Sequence, residues 1–90
     1  MTKTILITGA TSGIGEAVAR AYAANSWTVV MVGTRATATG DAQAADLGSN
    51  AHYRQCDVSD ETAVRRLAES VAADFGGIDV LVNSAGIYRG

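Results

Sequence analysis

The sequence has no proline, one cysteine, one histidine and one lysine. Without proline, its turns fall to glycine, of which there are ten. The single cysteine, Cys56, excludes an internal disulfide and any all-cysteine zinc site, and points to a reducing compartment. Its plain reading is a small buried apolar residue. The single histidine, His52, lies in a polar stretch and reads as a surface or packing residue. A net charge of −2 offers no basic footprint for nucleic acid or an anionic membrane. Long hydrophobic runs are missing too. Ile5-Leu6-Ile7 is too short for a secretory core, and Val29-Val30-Met31-Val32 falls far below the ~20 residues of a membrane span. The expectation is a cytoplasmic protein with neither membrane nor nucleic acid as partner.

What is present is a globular composition, 48 % hydrophobic and 18 % charged, in a length of 90 residues that allows one small domain. Two periodicities alternate along it. Thr4-Ile5-Leu6-Ile7-Thr8 is a short apolar strand. Ile14, Ala17, Val18, Ala21 and Tyr22 then recur at helical spacing and predict one apolar helix face. Thr28 to Gly33 is a second strand, apolar on both faces as in a buried parallel sheet. Asp41 is placed to cap a short helix through Leu47, with Gly48 as its stop. Ala51 to Cys56 is a strand polar enough for a sheet edge. Ser59 is the expected cap of a third helix, whose stripe is Val64, Leu67, Ala68, Val71, Ala72 and Phe75, ended by Gly76-Gly77. Ile78 to Ser84 closes the series.

A βαβαβαβ order with short connections predicts an α/β fold, a parallel sheet covered by helices on both sides. The last strand is apolar on both faces, like a strand with two neighbours. The chain therefore reads as the front of a longer doubly wound domain, residues 1–90 being its N-terminal part. The exposed edge of the fourth strand predicts self-association or pairing with another chain.

Between the first strand and first helix lies ITGATSGIG, residues 7–15. A loop in that place presents backbone N–H groups and the positive end of a helix dipole, which suit a phosphate. The spacing Gly9-x-x-x-Gly13-x-Gly15 is not a nucleoside-triphosphate P-loop, because no Lys-Ser or Lys-Thr follows it. The other reading is a tight turn. An NAD-preferring dinucleotide site carries a carboxylate at the end of the second strand for the adenosine ribose. Here Gly33-Thr34-Arg35 stands there, and the nearest acid is Asp41. Thr34 can donate a hydrogen bond and Arg35 a bidentate charge to a 2′-phosphate. NADP(H) is thus the expected cofactor, and NAD(H) the alternative; a solvated surface arginine is the plainer reading of Arg35.

Thr8-Gly9-Ala10-Thr11-Ser12-Gly13-Ile14-Gly15 resembles the TGxxxGxG signature of the short-chain dehydrogenase/reductases. Asp57-Val58 resembles the pair which that family sets beside the adenine. Asn83-Ser84-Ala85-Gly86 is similar to its NNAG motif, with Ser84 in place of the second Asn. The resemblance runs from Lys3 to Gly90 and is compatible with the 3-oxoacyl-carrier-protein reductase-like branch. It implies a Rossmann-type sheet, here four strands in order 3-2-1-4 with three helices. It also implies that Gly9, Ser12, Gly13, Ile14 and Gly15, within a loop that includes Ala10 and Thr11, line the pyrophosphate and adenosine ribose. Asp57 would accept from the adenine amino group, Val58 would pack on the ring, and Asn83, Ala85 and Gly86 would border the cofactor's path. Asp57 also suits a turn into a helix, and Ala85-Gly86 a strand-ending turn.

The family transfers hydride between nicotinamide and a carbonyl or alcohol carbon, with a Tyr-x-x-x-Lys pair and an upstream Ser handling the proton. None of these 90 residues makes that pair. Ser26 stands four residues after Tyr22, Asp57 four after Tyr53, and Tyr88 has two residues behind it. Lys3 precedes all of them. No catalytic residue and no metal ligand set is therefore assigned. The expectation is an NADP(H)-binding portion of an oxidoreductase, inactive by itself; the alternatives are a non-catalytic nucleotide-sensing module and a structural fragment.

Overall fold

The computed structural model describes residues 2–11 and 13–83. Within them β1 (Thr4–Thr8), α1 (Gly13–Ala24), β2 (Thr28–Gly33), α2 (Thr37–Leu47), β3 (Ala51–Gln55), α3 (Glu61–Phe75) and β4 (Val80–Asn83) follow in order. All four strands pair in parallel, in the order β3-β2-β1-β4. This is the Rossmann-type arrangement and strand order that the sequence implied. The chain winds one way from β1 to β3, then crosses back over β2 and β1 to β4.

Side-chain alternation divides the core into two layers. Ile5, Ile7, Val29, Met31, Ala51 and Tyr53 face α1 and α2 and meet Ala19, Ala23 and Ala44. Leu6, Val30, Val32 and Cys56 face the other way, toward Val71, Leu67, Val64 and Phe75 of α3. The register explains the split. Ile5 lies between Val29 and Val80, Leu6 between Val30 and Leu81, and Ile7 between Met31 and Val82. Ile5, Ile7, Val29, Val30, Met31 and Val32 are fully buried, and each such side chain contributes about 1.5–3 kcal/mol by leaving water.

Several local expectations need correction. The face of α1 that packs on the sheet is Gly15, Ala19 and Ala23, with Val18 and Tyr22 alongside. Ile14, Ala17 and Ala21 are exposed. Small residues every four positions let the helix approach the sheet closely, and that requirement overrode the count of larger apolar residues. α2 begins at Thr37, and Asp41 lies inside it; the preceding Ala36 makes no side-chain cap. α3 is capped by Asp60, whose carboxylate accepts from the backbone N–H groups of Thr62 and Ala63 at 3.0 and 3.1 Å. The Ser59 hydroxyl is engaged with Asp57. β3 ends at Gln55 and β4 begins at Val80; Ser84 lies outside the described residues. Gly76 ends α3 as expected, in left-handed conformation with its N–H donating to Ala72 O.

Asp79 closes the start of β4 onto β1. Its carboxylate accepts from Thr4 N at 2.7 Å, and its own N–H donates to Thr4 O at 2.9 Å. No helix among the described residues is long and apolar enough to cross a membrane.

On the α3 side of β3, His52 packs its ring 4.8 Å from that of Phe75, with the Arg54 guanidinium 5.5 Å from the same ring. Burial, helped by the charge of Arg54, holds the His52 imidazole below its ordinary value of 6.5. The unfolded chain therefore takes up this proton more readily than the folded one. The contribution of neutral His52 is complete above pH 6.5 and is lost as pH falls through the depressed folded value. Denaturant titrations should show stability declining from pH 7 toward pH 5, more weakly in His52→Phe, which keeps the ring contact. Equal slopes in the two proteins would remove His52 as the cause.

Candidate functional site

All four strands end at one edge of the sheet, and those sequence-assigned residues that the structure describes lie at or just after these ends. At the end of β1, Gly9 turns the backbone with φ 64°. Ala10 is fully buried, and its N–H donates to Val32 O at 3.1 Å. Thr11 O accepts from Gln43 Nε2 at 2.9 Å. The loop is thus fastened to β2 and α2 from beneath. Gly13 opens α1 at φ 58°, and a Cβ there would meet nothing within 4 Å. Held below and open above, the loop fits an anionic group laid over the start of α1. Ser12 lies outside the described residues. Ile14, 78 % exposed, and buried Gly15 continue the loop into the helix.

The β2 end passes close beside this loop. A Cβ on Gly33 would stand 3.2 Å from both Cγ2 and Oγ1 of Thr11, so glycine there admits the Thr11 side chain. Thr34 and Arg35 follow, both exposed, and among the described residues no carboxylate forms an ion pair with Arg35. Their backbone is tied to β3. Tyr53 donates its hydroxyl to Arg35 O at 2.7 Å, and Gln55 Nε2 donates to Thr34 O at 3.3 Å. Burial pushes the Tyr53 phenol up, against the opposing effect of the Arg35 charge, so it remains a protonated donor near neutrality.

Beyond β3, Cys56 N donates to Gly33 O at 2.9 Å. The Cys56 thiol is pushed up by burial and then by Asp57 and Asp60, which makes it a packing residue. Asp57 is exposed, and its Oδ1 accepts from the Ser59 hydroxyl at 2.7 Å and Ser59 N at 3.0 Å. Those bonds hold its carboxyl below the ordinary value and keep it an ionised acceptor. Val58 is half-buried against the α3-side core. A cavity of about 580 Å³ adjoins Asp57, walled by Cys56, Ala63, Arg66, Leu67 and Ser70. At the end of β4, Asn83 Oδ1 accepts from the Thr8 hydroxyl at 2.9 Å. Ala85 and Gly86 lie outside the described residues.

A larger cavity of about 670 Å³ lies between α1 and α2. Arg20 crosses it to Glu16 at 2.7 Å and Asp46 at 3.7 Å, so its charges satisfy one another. Among the described residues no three metal-ligating side chains converge. Tyr53, Gln55, Gln43 and Gly40 were missed by sequence reasoning. Their one signal was the glycine inside α2, a position that usually marks a close neighbour.

A glycine loop on the central strand, three further strand ends beside it and a crossover that splits there define a Rossmann-type nucleotide-binding fold. The family model for short chain dehydrogenase matches residues 3–90, and the chain belongs to that family of oxidoreductases. It is 46 % identical to a D-threitol dehydrogenase of Mycolicibacterium smegmatis, covering 97 % of this chain and 34 % of the relative. It is 43 % identical to a serine 3-dehydrogenase of Agrobacterium fabrum, covering 100 % and 36 %. A 3-ketoacyl-(acyl-carrier-protein) reductase from Brucella melitensis, solved in complex with NADH, superposes with TM-score 0.79 at 35 % identity, covering 88 % of this chain and 32 % of that one. The chain thus spans about a third of the length of these relatives.

Because the Gly13 position is open but left-handed, Gly13→Ala should fold with a loss of about 1–2 kcal/mol from backbone strain alone. Equilibrium denaturation measures it; a loss well above that would reveal a packing contact at Gly13.

Proposed function

We propose that residues 1–90 are the N-terminal part of a dinucleotide-binding domain that takes NADP(H) in preference to NAD(H). The observation that carries this reading is the end of β2, where an exposed arginine, without an acidic partner among the described residues, stands beside the glycine loop. A carboxylate in that place would repel a 2′-phosphate; the Arg35 guanidinium attracts one and can bond it bidentately. The pyrophosphate lies over Gly9, Ser12, Gly13, Ile14 and Gly15, within the loop that Ala10 and Thr11 anchor. Thr34 and Arg35 meet the 2′-phosphate, ionised Asp57 accepts from the adenine amino group, and Val58 borders the ring. Asn83, with Ala85 and Gly86, flanks the route toward the nicotinamide.

When bound, the cofactor supplies hydride exchange with a carbonyl or secondary alcohol carbon. The relatives' names range over D-threitol, serine and a ketoacyl group, and what unites these is that interconversion. This chain's own residues bind and orient the cofactor. The proton relay is not among them, since neither Tyr22, Tyr53 nor Tyr88 has a lysine four positions on. The second reading is a module that binds the nucleotide without turnover.

Titration with NADP(H) and NAD(H) tests the assignment. Arg35→Ala should weaken NADP(H) binding by about tenfold or more, the loss of 1.5–3 kcal/mol expected for a charged hydrogen bond, and leave NAD(H) binding unchanged. Unaltered NADP(H) affinity would sink the 2′-phosphate role. The isolated chain should show no carbonyl reduction, and measurable turnover would overturn the division between binding and reacting groups.

The partner reading rests on β4. Among the described residues β4 has one strand neighbour, β1, and Leu81 on it is 65 % exposed. We propose that when residues 1–90 are taken alone this edge pairs with a second copy of the chain, as exposed apolar edges do. Sedimentation should show concentration-dependent dimers that Leu81→Lys dissociates; a wild-type monomer at high concentration would refute the pairing.

A further inference from the structure

The two polar side chains on the α2 face of β3, Tyr53 and Gln55, have no part in the assignments above, yet both reach the Thr34–Arg35 backbone. Tyr53 is fully enclosed, only 4 % exposed. Its ring lies against α2 at Gly40, where an added Cβ would fall 2.2 Å from ring carbons Cδ2 and Cε2. The notch thus accepts the ring only because residue 40 has no side chain. From that seat the hydroxyl reaches Arg35 O at 2.7 Å, and a Cβ on Gly33 would touch the Tyr53 hydroxyl oxygen at 3.4 Å. Ring, helix notch and strand end fix the hydroxyl in one place. Gln55 adds a second tie, donating to Thr34 O at 3.3 Å, with Thr37 Oγ1 3.4 Å from its Oε1.

We propose that Tyr53, seated in the Gly40 notch, is a specificity-determining positioning residue that presets the Thr34–Arg35 backbone for a cofactor 2′-phosphate, with Gln55 as its weaker partner. The inference rests on the NADP(H) reading of Arg35. An arginine on a loose loop loses backbone freedom when it clamps an anion, and that loss weakens binding. Here two carbonyl tethers from the neighbouring strand have already ordered the segment. The guanidinium has only its own rotamers to settle. The preference for one cofactor therefore depends on β3 and α2 as well as on the residue that touches the phosphate. Neither tether touches the parts that NAD(H) and NADP(H) share, so losing one affects the two cofactors unequally.

Tyr53→Phe keeps the ring in its notch and deletes the hydroxyl. The ratio of NAD(H) to NADP(H) dissociation constants should fall about two- to tenfold, the range for one neutral hydrogen bond, with NAD(H) affinity unchanged. A merely structural tyrosine would instead lower the melting temperature and weaken both cofactors alike, leaving the ratio fixed; that result overturns the proposal. In an Arg35→Ala background the Tyr53→Phe substitution should have no further effect on the ratio, since the group it positions is gone. An undiminished effect there also overturns it. Gln55→Met, at an exposed position, should shift the ratio in the same direction by a smaller factor, and it decides the matter if Tyr53→Phe does not fold. Should Arg35→Ala itself leave the ratio unmoved, the cofactor reading fails and this inference with it. If Arg35→Ala collapses the ratio while Tyr53→Phe and Gln55→Met do not, only the positioning role fails.

Discussion

The parallel pairing of β1 with both β2 and β4 governs the placement of everything else. A parallel neighbour can be reached only by a crossover, and right-handed crossovers that leave one strand for opposite sides must cover opposite faces of the sheet. That is why α1 and α2 lie on one layer and α3 on the other. It also puts the reversal of winding direction next to β1, the strand that carries the glycine loop. Ile5, Leu6 and Ile7, two of them fully buried and the third nearly so, hold this pairing in register. A one-residue slip would turn Leu6 toward α1 and α2 and Ile5 and Ile7 toward α3, mismatching both layers.

The parallel sheet was legible in the sequence as runs of apolar residues on both strand faces, while the place of β2 and β4 on either side of β1 came from the family resemblance. The bounds of β1 and β2, the edge position of β3 and the stop at Gly76 follow from local pattern and turn chemistry. What was not legible depended on partners distant in sequence. Counting apolar residues put Ile14, Ala17 and Ala21 on the inner face of α1, but distance to a flat sheet selects Gly15, Ala19 and Ala23. Asp41 was expected to cap a short helix, but α2 begins at Thr37 and holds both Gly40 and Asp41 inside it. Gly40 is a helical residue shaped to Tyr53, thirteen positions on. An interior glycine costs a helix about 1 kcal/mol against alanine, which the burial of a large ring, roughly 1.5–3 kcal/mol, offsets. No local propensity could reveal that exchange.

The same distinction runs through the site. Gly9, Gly13, Thr34, Arg35, Asp57 and Asn83 could be assigned because each ends or follows a strand, and strand ends are where parallel sheets gather ligand groups. The bonds that hold those residues in place were invisible. Ser59 fixes the Asp57 carboxylate, Gln43 reaches across to Thr11 O, and the Cys56 backbone binds Gly33. Gln43 shows the compromise involved. Its amide nitrogen secures the loop, while its Oε1 is buried among the described residues without a partner. An unsatisfied buried acceptor costs about 1–3 kcal/mol, against about 1 kcal/mol for the bond it accompanies. Loop position, and not net stability, is therefore the better account of a glutamine at this place.

The two edges of the sheet differ in chemistry, and the difference bears on how the fold is completed. β3 carries His52, Tyr53, Arg54 and Gln55, and each finds an occupation within the chain: a ring on Phe75, a hydroxyl on Arg35, an ion pair with Asp74, an amide on Thr34. Polar, twisted and engaged, such an edge has little to offer another strand. β4 carries Val80, Leu81 and Val82, with Asp79 clamped to Thr4 at one end and Asn83 meeting Thr8 at the other. Its ends are fixed and its middle is apolar. An edge built to remain in water would have carried its charges along the strand, as β3 does. The polarity that finishes one side of the sheet is absent from the other, where Leu81 is exposed.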